Sequence, residues 1–186
     1  MSTLGTGRIF ALVGPSGAGK DTLLAGLEAA GLAHRVRRVI TRTPRPGDEP
    51  FEGVSEPEFE RRRAEGQFAL HWRAHGLAYG LPWAEFAAQQ DGRDVVFNGS
   101  RAMLAEAARV FPGLQAILIE APPEVLAARL AARGREAGAA LAARLERDTG
   151  AVPAGLPVIR LCNDGTPAEG IARLIAALQP SSNRSS

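Results

Sequence analysis

Cysteine and long apolar runs are scarce in this chain of 186 residues. Cys162 is the only cysteine, which excludes an internal disulfide framework and suits a reducing compartment. It lies in a strand-like run, and we predict that it is a core residue. No apolar run reaches the roughly 18 residues of a membrane-spanning helix, so we expect no membrane partner. Because the first apolar segment begins close to Met1, we also expect no signal peptide and a cytoplasmic location.

A large excess of one charge sign is also missing. The formal net charge is +2, and aromatic residues make up 5% of the chain. Proteins that bind nucleic acid usually combine clustered basic residues with aromatic residues that stack on bases. The arginines here are dispersed, so we expect no nucleic-acid partner. Small anionic substrates account for the arginines better.

Lysine is nearly absent, because the chain has 22 lysine and arginine residues and only Lys20 is a lysine. Lys20 ends a G-x-x-x-x-G-K pattern, which is typical of a phosphate-binding loop. In such a loop a compact ammonium group reaches the β- and γ-phosphates, where the broad guanidinium of arginine would collide with the backbone. The predicted ATP-binding residues of this loop are Gly14, Pro15, Ser16, Gly17, Ala18, Gly19, Lys20, Asp21 and Thr22.

The segments on either side of the loop agree with this interpretation. Residues 8–13 are a nearly unbroken apolar run, and residues 21–30 have helical spacing, so the loop joins a strand to a helix. The position after the lysine normally carries Ser or Thr, whose hydroxyl binds Mg²⁺, but here it is Asp21. A carboxylate can bind Mg²⁺ directly or through water. It also suits the first turn of a helix, and both interpretations can hold together.

Strand-like and helical segments alternate along the chain. This predicts an α/β protein with the three-layer fold of P-loop NTPases, in which helices cover both faces of a mostly parallel central sheet. We predict strands over residues 8–13, 35–41, 68–74, 94–98, 114–120 and 157–162. We predict helices over residues 21–30, 56–65, 83–90, 101–110, 123–132, 139–148 and 167–178.

One kinase domain is expected over residues 1–179, with a core formed by residues 8–42 and 93–178. Its small acceptor-binding flap covers about residues 43–82 and begins with a segment rich in Pro, Gly and acidic residues. The Gly-punctuated basic turn at about residues 133–138 indicates an arginine lid that excludes water from the phosphates, and a solvated linker is the alternative. The polar, Ser-rich residues 180–186 are expected to be a disordered tail.

Motifs between about residues 8 and 178 resemble the guanylate kinase-like branch of the nucleoside monophosphate kinases. They are the glycine loop, TRTPRPGDE at 41–49, HGLAYG at 75–80 and the arginine spacing at 133–144. The resemblance implies an ATP-dependent kinase that uses Mg²⁺. It implies catalytic roles at the transferring phosphoryl group for Lys20, Arg133 and Arg144. It places Asn163 near the adenine of ATP. At the acceptor phosphate it implies binding by Arg42, Arg45 and Tyr79.

Departures from the guanylate kinase pattern concern guanine recognition. Guanylate kinases read guanine with a carboxylate where this chain has Leu70, and they carry another acidic residue where it has Asn98. A tyrosine that helps to hold the nucleotide phosphate is also missing near residues 51–52. A hydrogen bond to a charged group contributes about 1.5–3 kcal/mol, so losing two would lower guanine preference about 10²- to 10⁴-fold. These departures argue against GMP as the acceptor.

A second set of motifs is similar to the ribose 1,5-bisphosphate phosphokinase family. These motifs are the loop with Asp21, FALHW at 68–72, HGLAYG at 75–80, VFNGSR at 96–101, RGRE at 133–136 and NDG at 163–165. The resemblance implies ATP-dependent conversion of ribose 1,5-bisphosphate to 5-phospho-α-D-ribose 1-diphosphate (PRPP) in phosphonate breakdown. One alternative is a nucleotide kinase with altered base specificity. Another is an inactive module that binds partner proteins, which the intact phosphate loop disfavours.

A small phosphosugar acceptor with two phosphates and no base needs several cations and no purine slot. Arg42, Arg45, Arg73 and Arg101 are candidates for those cations, whereas Arg37 and Arg38 fit strand-end charges better. The remaining predicted acceptor contacts are Asn98, which follows an apolar strand, and His75. The nucleophile is an anionic phosphate oxygen, so no general base is required. The sequence is compatible with a monomer or a homodimer.

Overall fold

The computed structural model describes residues 7–74, 76–132 and 151–179. Its strands are β1 Ile9–Val13, β2 His34–Arg35, β3 Arg38–Ile40, β4 Phe51–Gly53, β5 Phe68–Ala74, β6 Leu77–Pro82, β7 Val95–Asn98, β8 Gln115–Glu120 and β9 Val158–Cys162. Its α-helices are α1 Lys20–Ala29, α2 Glu56–Ala64, α3 Ala87–Gln90, α4 Leu104–Val110, α5 Pro123–Ala132 and α6 Pro167–Leu178. Short 3₁₀ segments at Trp83–Phe86 and Arg101–Met103 precede α3 and α4.

The central sheet is parallel and has the strand order β2-β7-β1-β8-β9. All five residues of β1 are buried, because side chains from helices cover both faces of the sheet. Phe10 and Leu12 pack on one side with residues of α1 and α6, while Ala11 packs on the other with residues of α4. This arrangement confirms the predicted three-layer α/β fold.

A second sheet has the order β4-β3-β6-β5 and is mixed. Helix α2 covers one of its faces through Phe59, whose ring stacks on that of Phe68 with 4.8 Å between the centroids. Leu70 and Leu81 pack instead into the same apolar cluster as the central sheet. The small sheet is therefore built onto the core.

The predicted strand over residues 35–41 was wrong, because it is two strands that belong to different sheets. Strand β2 pairs with β7 in the central sheet, and β3 pairs with β4 and β6 in the small sheet. The small sheet thus includes residues before position 43. Strands β4 and β6 were not predicted, since the first is short and the second lies in a segment interpreted as a turn.

Local signals account for the helix boundaries. Helix α6 begins with a capping box between Thr166 and Glu169, and Ser55 accepts a hydrogen bond from Glu58 N at the start of α2. Of the helices that the structure describes, none is long and apolar enough to cross a membrane. The predicted helix 139–148, the lid at 133–138 and the tail at 180–186 lie outside the described residues.

Candidate active site

The phosphate loop joins the end of β1 to the first residue of α1. Gly14 and Gly19 have positive φ angles of 152° and 87°. A Cβ atom at Gly14 would lie 2.3 Å from the carbonyl oxygen of Ile119, and one at Gly19 would lie 2.7 Å from Nδ2 of Asn163. Both the backbone angles and the close neighbours therefore require glycine. This leaves the backbone N–H groups of the loop and of the first turn of α1 to bind phosphate oxygens.

Lys20 lies over the loop and does not extend into solvent. Its Nζ atom donates hydrogen bonds to the carbonyl oxygens of Gly14 at 2.6 Å and Pro15 at 3.0 Å. The side chain is half-buried, so its positive charge acts where little water screens it. The ammonium therefore lies at the phosphate loop, and its contact with the β- and γ-phosphates of ATP stays a prediction.

Asn163 is buried at the end of β9 and contacts the loop directly. Its Nδ2 atom donates to the carbonyl oxygen of Ala18 at 2.7 Å. Arg129 of α5 in turn donates to the carbonyl oxygen of Asn163 at 2.8 Å. The observed contact of this side chain is with the phosphate loop, which it holds in position. Its contact with adenine stays a prediction.

Asp21 in the first turn of α1 lies beside Asn98 at the end of β7. Asn98 Nδ2 donates to Asp21 Oδ1 at 3.1 Å, and Arg35 Nη2 lies 3.6 Å from the same oxygen. The Asp21 side chain is 49% exposed, so a hydrated cation can reach it. No group of three or more His, Cys, Asp or Glu side chains suited to a metal occurs among the described residues.

The donor set fits Mg²⁺, because this ion keeps several waters and needs only one or two carboxylates besides substrate phosphates. Asp21 is the residue that would hold it.

A cavity of about 840 Å³ opens between α1 and the loop that follows β3. Its lining includes positively charged Arg35 and Arg42 and negatively charged Asp21, Asp48 and Glu49, together with the hydroxyl of Thr22. The cavity begins at the first turn of α1 and therefore adjoins the phosphate loop. We call it the acceptor pocket.

Arg42 lines the acceptor pocket, and its contact with the acceptor phosphate stays a prediction. Its Nη1 atom donates to Asp48 Oδ2 at 2.6 Å, and its guanidinium lies 4.4 Å from the centre of the Phe51 ring. The hydrogen bond that Arg42 donates to Asp48 is the main cause that raises the pKa of Arg42 above its usual value. Arg45 is exposed on the same loop, and its backbone N–H donates to Asp48 Oδ2 at 2.8 Å.

Tyr79 lines a neighbouring cavity of about 470 Å³. Its ring stacks on Trp72 at 5.2 Å, and the guanidinium of Arg38 lies 5.6 Å from its centre. Ser100 also lines this cavity, and Arg101 is half-buried in the 3₁₀ segment that follows. The structure thus brings segments distant in sequence to one region beside the acceptor pocket.

Sequence reasoning missed Arg35 and placed Arg38 among strand-end charges, yet both are largely buried. Their side chains are 6% and 15% exposed, and both bind the carboxylate of Glu49. Burial is the main cause that lowers the pKa of Arg38 below its usual value. The available signal was that these arginines alternate with the apolar residues Val36 and Val39 in a run predicted to be a strand.

Three predicted site residues, His75, Arg133 and Arg144, lie outside the described residues. Their roles stay predictions.

Solved structures with a similar fold include several kinases. A guanylate kinase from Anaplasma phagocytophilum has a TM-score of 0.69 at 20% identity, covering 94% of this chain and 86% of that one. A gluconokinase from Sinorhizobium meliloti 1021 has a TM-score of 0.54 at 21% identity, covering 94% and 92%. Identities this low show the fold alone. Fold and phosphate loop together define the class, which is a P-loop protein with the guanylate kinase-like fold.

Closer relatives specify the family. The ribose 1,5-bisphosphate phosphokinase PhnN of Ruegeria sp. (strain TM1040) is 45% identical over 175 residues, 93% of this chain and 92% of the relative. The enzyme of the same name from Azotobacter vinelandii is 47% identical over 91% of this chain and 96% of its own length. This chain therefore belongs to the ribose 1,5-bisphosphate phosphokinase family, which confirms the second resemblance.

Some relatives are much longer. The bifunctional ribose 1,5-bisphosphokinase-thymidine phosphorylase of Cupriavidus necator is 47% identical over 94% of this chain, which spans only 29% of that protein. The corresponding protein of Azorhizobium caulinodans is 46% identical, and the chain spans 26% of it. The chain thus covers less than a third of these two relatives. A comparison with protein-family models gave no match.

Proposed function

We propose that this chain transfers the γ-phosphoryl group of ATP to ribose 1,5-bisphosphate, producing 5-phospho-α-D-ribose 1-diphosphate and ADP. The observation that carries this proposal is the pairing of a complete phosphate loop with an adjoining pocket lined by Arg35 and Arg42. Family membership supports the same substrate, because two relatives that match over more than nine-tenths of their length carry this activity in their names.

The surroundings of Leu70 support a sugar acceptor over a purine nucleotide. Its side chain is 1% exposed and packs in the apolar cluster with Leu81 and Phe97. It therefore presents no hydrogen-bonding group where guanylate kinases carry a carboxylate that reads guanine. A purine placed there would leave its polar edge unpaired, which costs about 1–3 kcal/mol for each buried group.

The reaction needs positioning and charge stabilisation, not a base. A 1-phosphate oxygen forms a bond to the γ-phosphorus while the bond from that phosphorus to the β–γ bridging oxygen breaks, and ADP leaves with that oxygen. Lys20 and the loop N–H groups hold the β- and γ-phosphates. Arg42, Arg45 and Tyr79 orient the acceptor phosphate. Preorganised cations in such a site stabilise the charge of the transition state without reorganisation.

The remaining roles rest on family membership and residue chemistry. When bound, Mg²⁺ supplies positive charge to the phosphate oxygens, and Asp21 is its proposed ligand. Arg133 and Arg144 are proposed to add positive charge at the transferring group, and Asn98, Arg101 and His75 to contact the acceptor. We propose a cytoplasmic role in phosphonate breakdown, consistent with a chain that has one cysteine.

A nucleotide kinase with altered base specificity is the second candidate. The stacked pair of Trp72 and Tyr79 favours it, because this aromatic surface lines the cavity beside the acceptor pocket. A base could pack on that surface, whereas ribose 1,5-bisphosphate has no base to place there.

An acceptor panel separates the two candidates. Purified protein is incubated with ATP and Mg²⁺ and with ribose 1,5-bisphosphate, ribose 5-phosphate, GMP, dGMP, AMP or UMP, and phosphorus NMR follows the products. We expect a new diphosphate signal with ribose 1,5-bisphosphate alone. Comparable transfer to a nucleoside monophosphate would favour the nucleotide kinase. No transfer to any acceptor would contradict both.

A further inference from the structure

Arg35 and Arg38 share one anion in the wall of the acceptor pocket. Arg35 Nη2 lies 3.0 Å from Glu49 Oε2, and Arg38 Nη2 contacts the other oxygen, Oε1. Each oxygen of the carboxylate is therefore bound by a different guanidinium. Two guanidinium groups that converge on one bridging oxyanion are also the arrangement by which proteins bind phosphate.

Burial makes this pair dependent on an anion. Both side chains are largely removed from water, and positive charges on Arg35 and Arg42 add to the burial that lowers the pKa of Arg38. Among the described residues, Nε of Arg38 is buried and has no hydrogen-bond partner. A phosphate group would bring more oxygen atoms and more negative charge than the carboxylate of Glu49.

Glu49 belongs to a loop that is itself mostly exposed. Residues 43–47 are exposed, and Gly47 has a φ of 83° with no neighbour within 4 Å of the position of a Cβ atom. The preceding residue, Asp48, places its carboxylate on Arg42 in the same way, at 2.6 Å. Two consecutive acidic residues thus lie on arginines of the acceptor pocket. A loop with so little packing around its tip can move when a ligand takes those arginines.

We propose that Arg35 and Arg38 form a second phosphate subsite, which the carboxylate of Glu49 occupies until a phosphate group replaces it. The inference rests on the proposed function. Because Arg42, Arg45 and Tyr79 are assigned to the reacting phosphate, the second subsite takes the phosphate on C5, which does not react. An acceptor with two phosphates then fills both subsites, and an acceptor with one cannot.

The structure favours this pair over Arg73, one of the cations expected from the sequence. Arg73 is 59% exposed, and its Nη2 atom binds Glu56 and Glu60 of α2. Although Arg73 lines the same cavity as Arg38, its ion pairs are exposed, so water screens their charge. Arg35 instead lines the acceptor pocket, and Arg38, although it lines the neighbouring cavity, is largely buried and joined to that pocket through Glu49.

The first test replaces Arg38 by Gln, with Arg37→Ala as the control. Arg37 is exposed on the same segment, and its guanidinium makes a long hydrogen bond to the carbonyl oxygen of Phe51, at 3.5 Å. Losing a charged hydrogen bond should raise KM for ribose 1,5-bisphosphate about 10- to 100-fold. KM for ATP should change little, and Arg37→Ala should leave both constants unchanged. Melting temperatures identify any variant that fails to fold.

The second test uses Glu49→Gln, which removes the competing charge with little change of shape. If Glu49 occupies the subsite, the variant should lower KM for ribose 1,5-bisphosphate about 3- to 10-fold, because a larger fraction of the protein is ready to bind. If Glu49 only supports the fold, KM should rise or stay the same, and the second subsite would be wrong. Arg38→Lys, which keeps the charge, should recover part of the affinity lost in Arg38→Gln.

A titration that does not depend on turnover separates this inference from the proposed function. Inorganic phosphate is titrated into protein saturated with Mg²⁺ and a non-hydrolysable ATP analogue, which fills the phosphate loop. Phosphate should bind about tenfold more weakly to Arg38→Gln and more tightly to Glu49→Gln than to the unaltered protein. These shifts without ribose 1,5-bisphosphate turnover would overturn only the proposed function. Turnover without the shifts would overturn only the subsite.

Discussion

Asn163 donates a hydrogen bond from Nδ2 to the carbonyl oxygen of Ala18 at 2.7 Å and thereby ties the end of β9 to the phosphate loop, 145 positions away in the chain. Asn163→Ala would leave the buried Ala18 oxygen without this partner. We expect a loss of about 1–3 kcal/mol in the free energy of unfolding, which lowers Tm by roughly 2–12 °C. KM for ATP should rise more than KM for the acceptor. Calorimetry and steady-state kinetics measure both, and equal changes in the two constants would contradict a role specific to the loop.

Substitutions of Lys20 test whether the phosphate loop requires an ammonium group or only a positive charge. Lys20→Ala should abolish transfer, and Lys20→Arg should lower kcat at least about 100-fold, because the guanidinium does not fit the loop. Circular dichroism should show that both variants fold. Arg160→Ala is the control, since this arginine is 64% exposed and pairs with Glu120, and neither residue lines the acceptor pocket. Near-normal activity of Lys20→Arg would show that charge alone suffices.

Asp21 is expected to set the Mg²⁺ requirement. Asp21→Ala should raise the Mg²⁺ concentration needed for half-maximal activity about tenfold, because one oxygen ligand is lost. Asp21→Ser restores the hydroxyl that is usual at this position of the loop and should fall between the alanine variant and the unaltered protein. Activity is measured over a series of Mg²⁺ concentrations at saturating ATP. An unchanged Mg²⁺ dependence in the alanine variant would reduce Asp21 to a helix N-terminal charge.

Gly80 should tolerate no side chain, because a Cβ atom there would lie 2.6 Å from the ring of Phe68. Overpacking of this kind costs about 1–3 kcal/mol, so Gly80→Ala should lower Tm by roughly 2–12 °C. Gly99→Ala is a matched control, since its nearest neighbour, in the Phe97 ring, is at 3.4 Å, an ordinary contact. Thermal unfolding gives the Tm of both variants. Equal Tm values would show that β5 and β6 can move apart to accommodate the added methyl group without loss of stability.

Cys162 was predicted to be a core residue, but it is exposed at the end of β9. The pKa of this thiol is raised above the usual value near 9. The main cause is partial loss of water around the thiol, and the negative charge of Asp164 is the second cause. A raised pKa keeps the thiol protonated at neutral pH, so the reactive thiolate forms only as pH rises beyond that value. Alkylation by iodoacetamide at pH 7 should be slower than that of free cysteine and should accelerate above pH 9. Rapid alkylation at pH 7 would contradict the shift.

The phosphate loop and the central sheet could be predicted because both depend on local patterns. The spacing that ends at Lys20 and the buried run of β1 are each visible within about ten residues. The small sheet could not be predicted in the same way. Its strand β3 is short and is held by pairing with β4 and β6, which are distant in the chain, and β6 contains Gly80, which usually weakens a strand.

The acceptor pocket was predictable only in part. Arg42, which lines the pocket, was a predicted site residue because it lies in a motif, whereas Arg35 was missed because its position depends on its pairing with Glu49, which is 14 residues away and outside any strand. Neither residue has a distinctive spacing, and a buried ion pair depends on a tertiary arrangement that a pattern of apolar residues does not specify. The break between β2 and β3 has the same cause, since it reflects which partner strands are available.

Lys20 has a consequence for chemical labelling, because it is the only side-chain amine in this chain. Apart from the α-amino group, an acylating reagent that selects amines has one possible target, and that target lies over the phosphate loop. Its Nζ atom is held by two carbonyl oxygens, which slows modification but does not block it. A single reagent therefore reports on the nucleotide site of the unaltered protein, with ATP as the protecting ligand and intact mass as the readout.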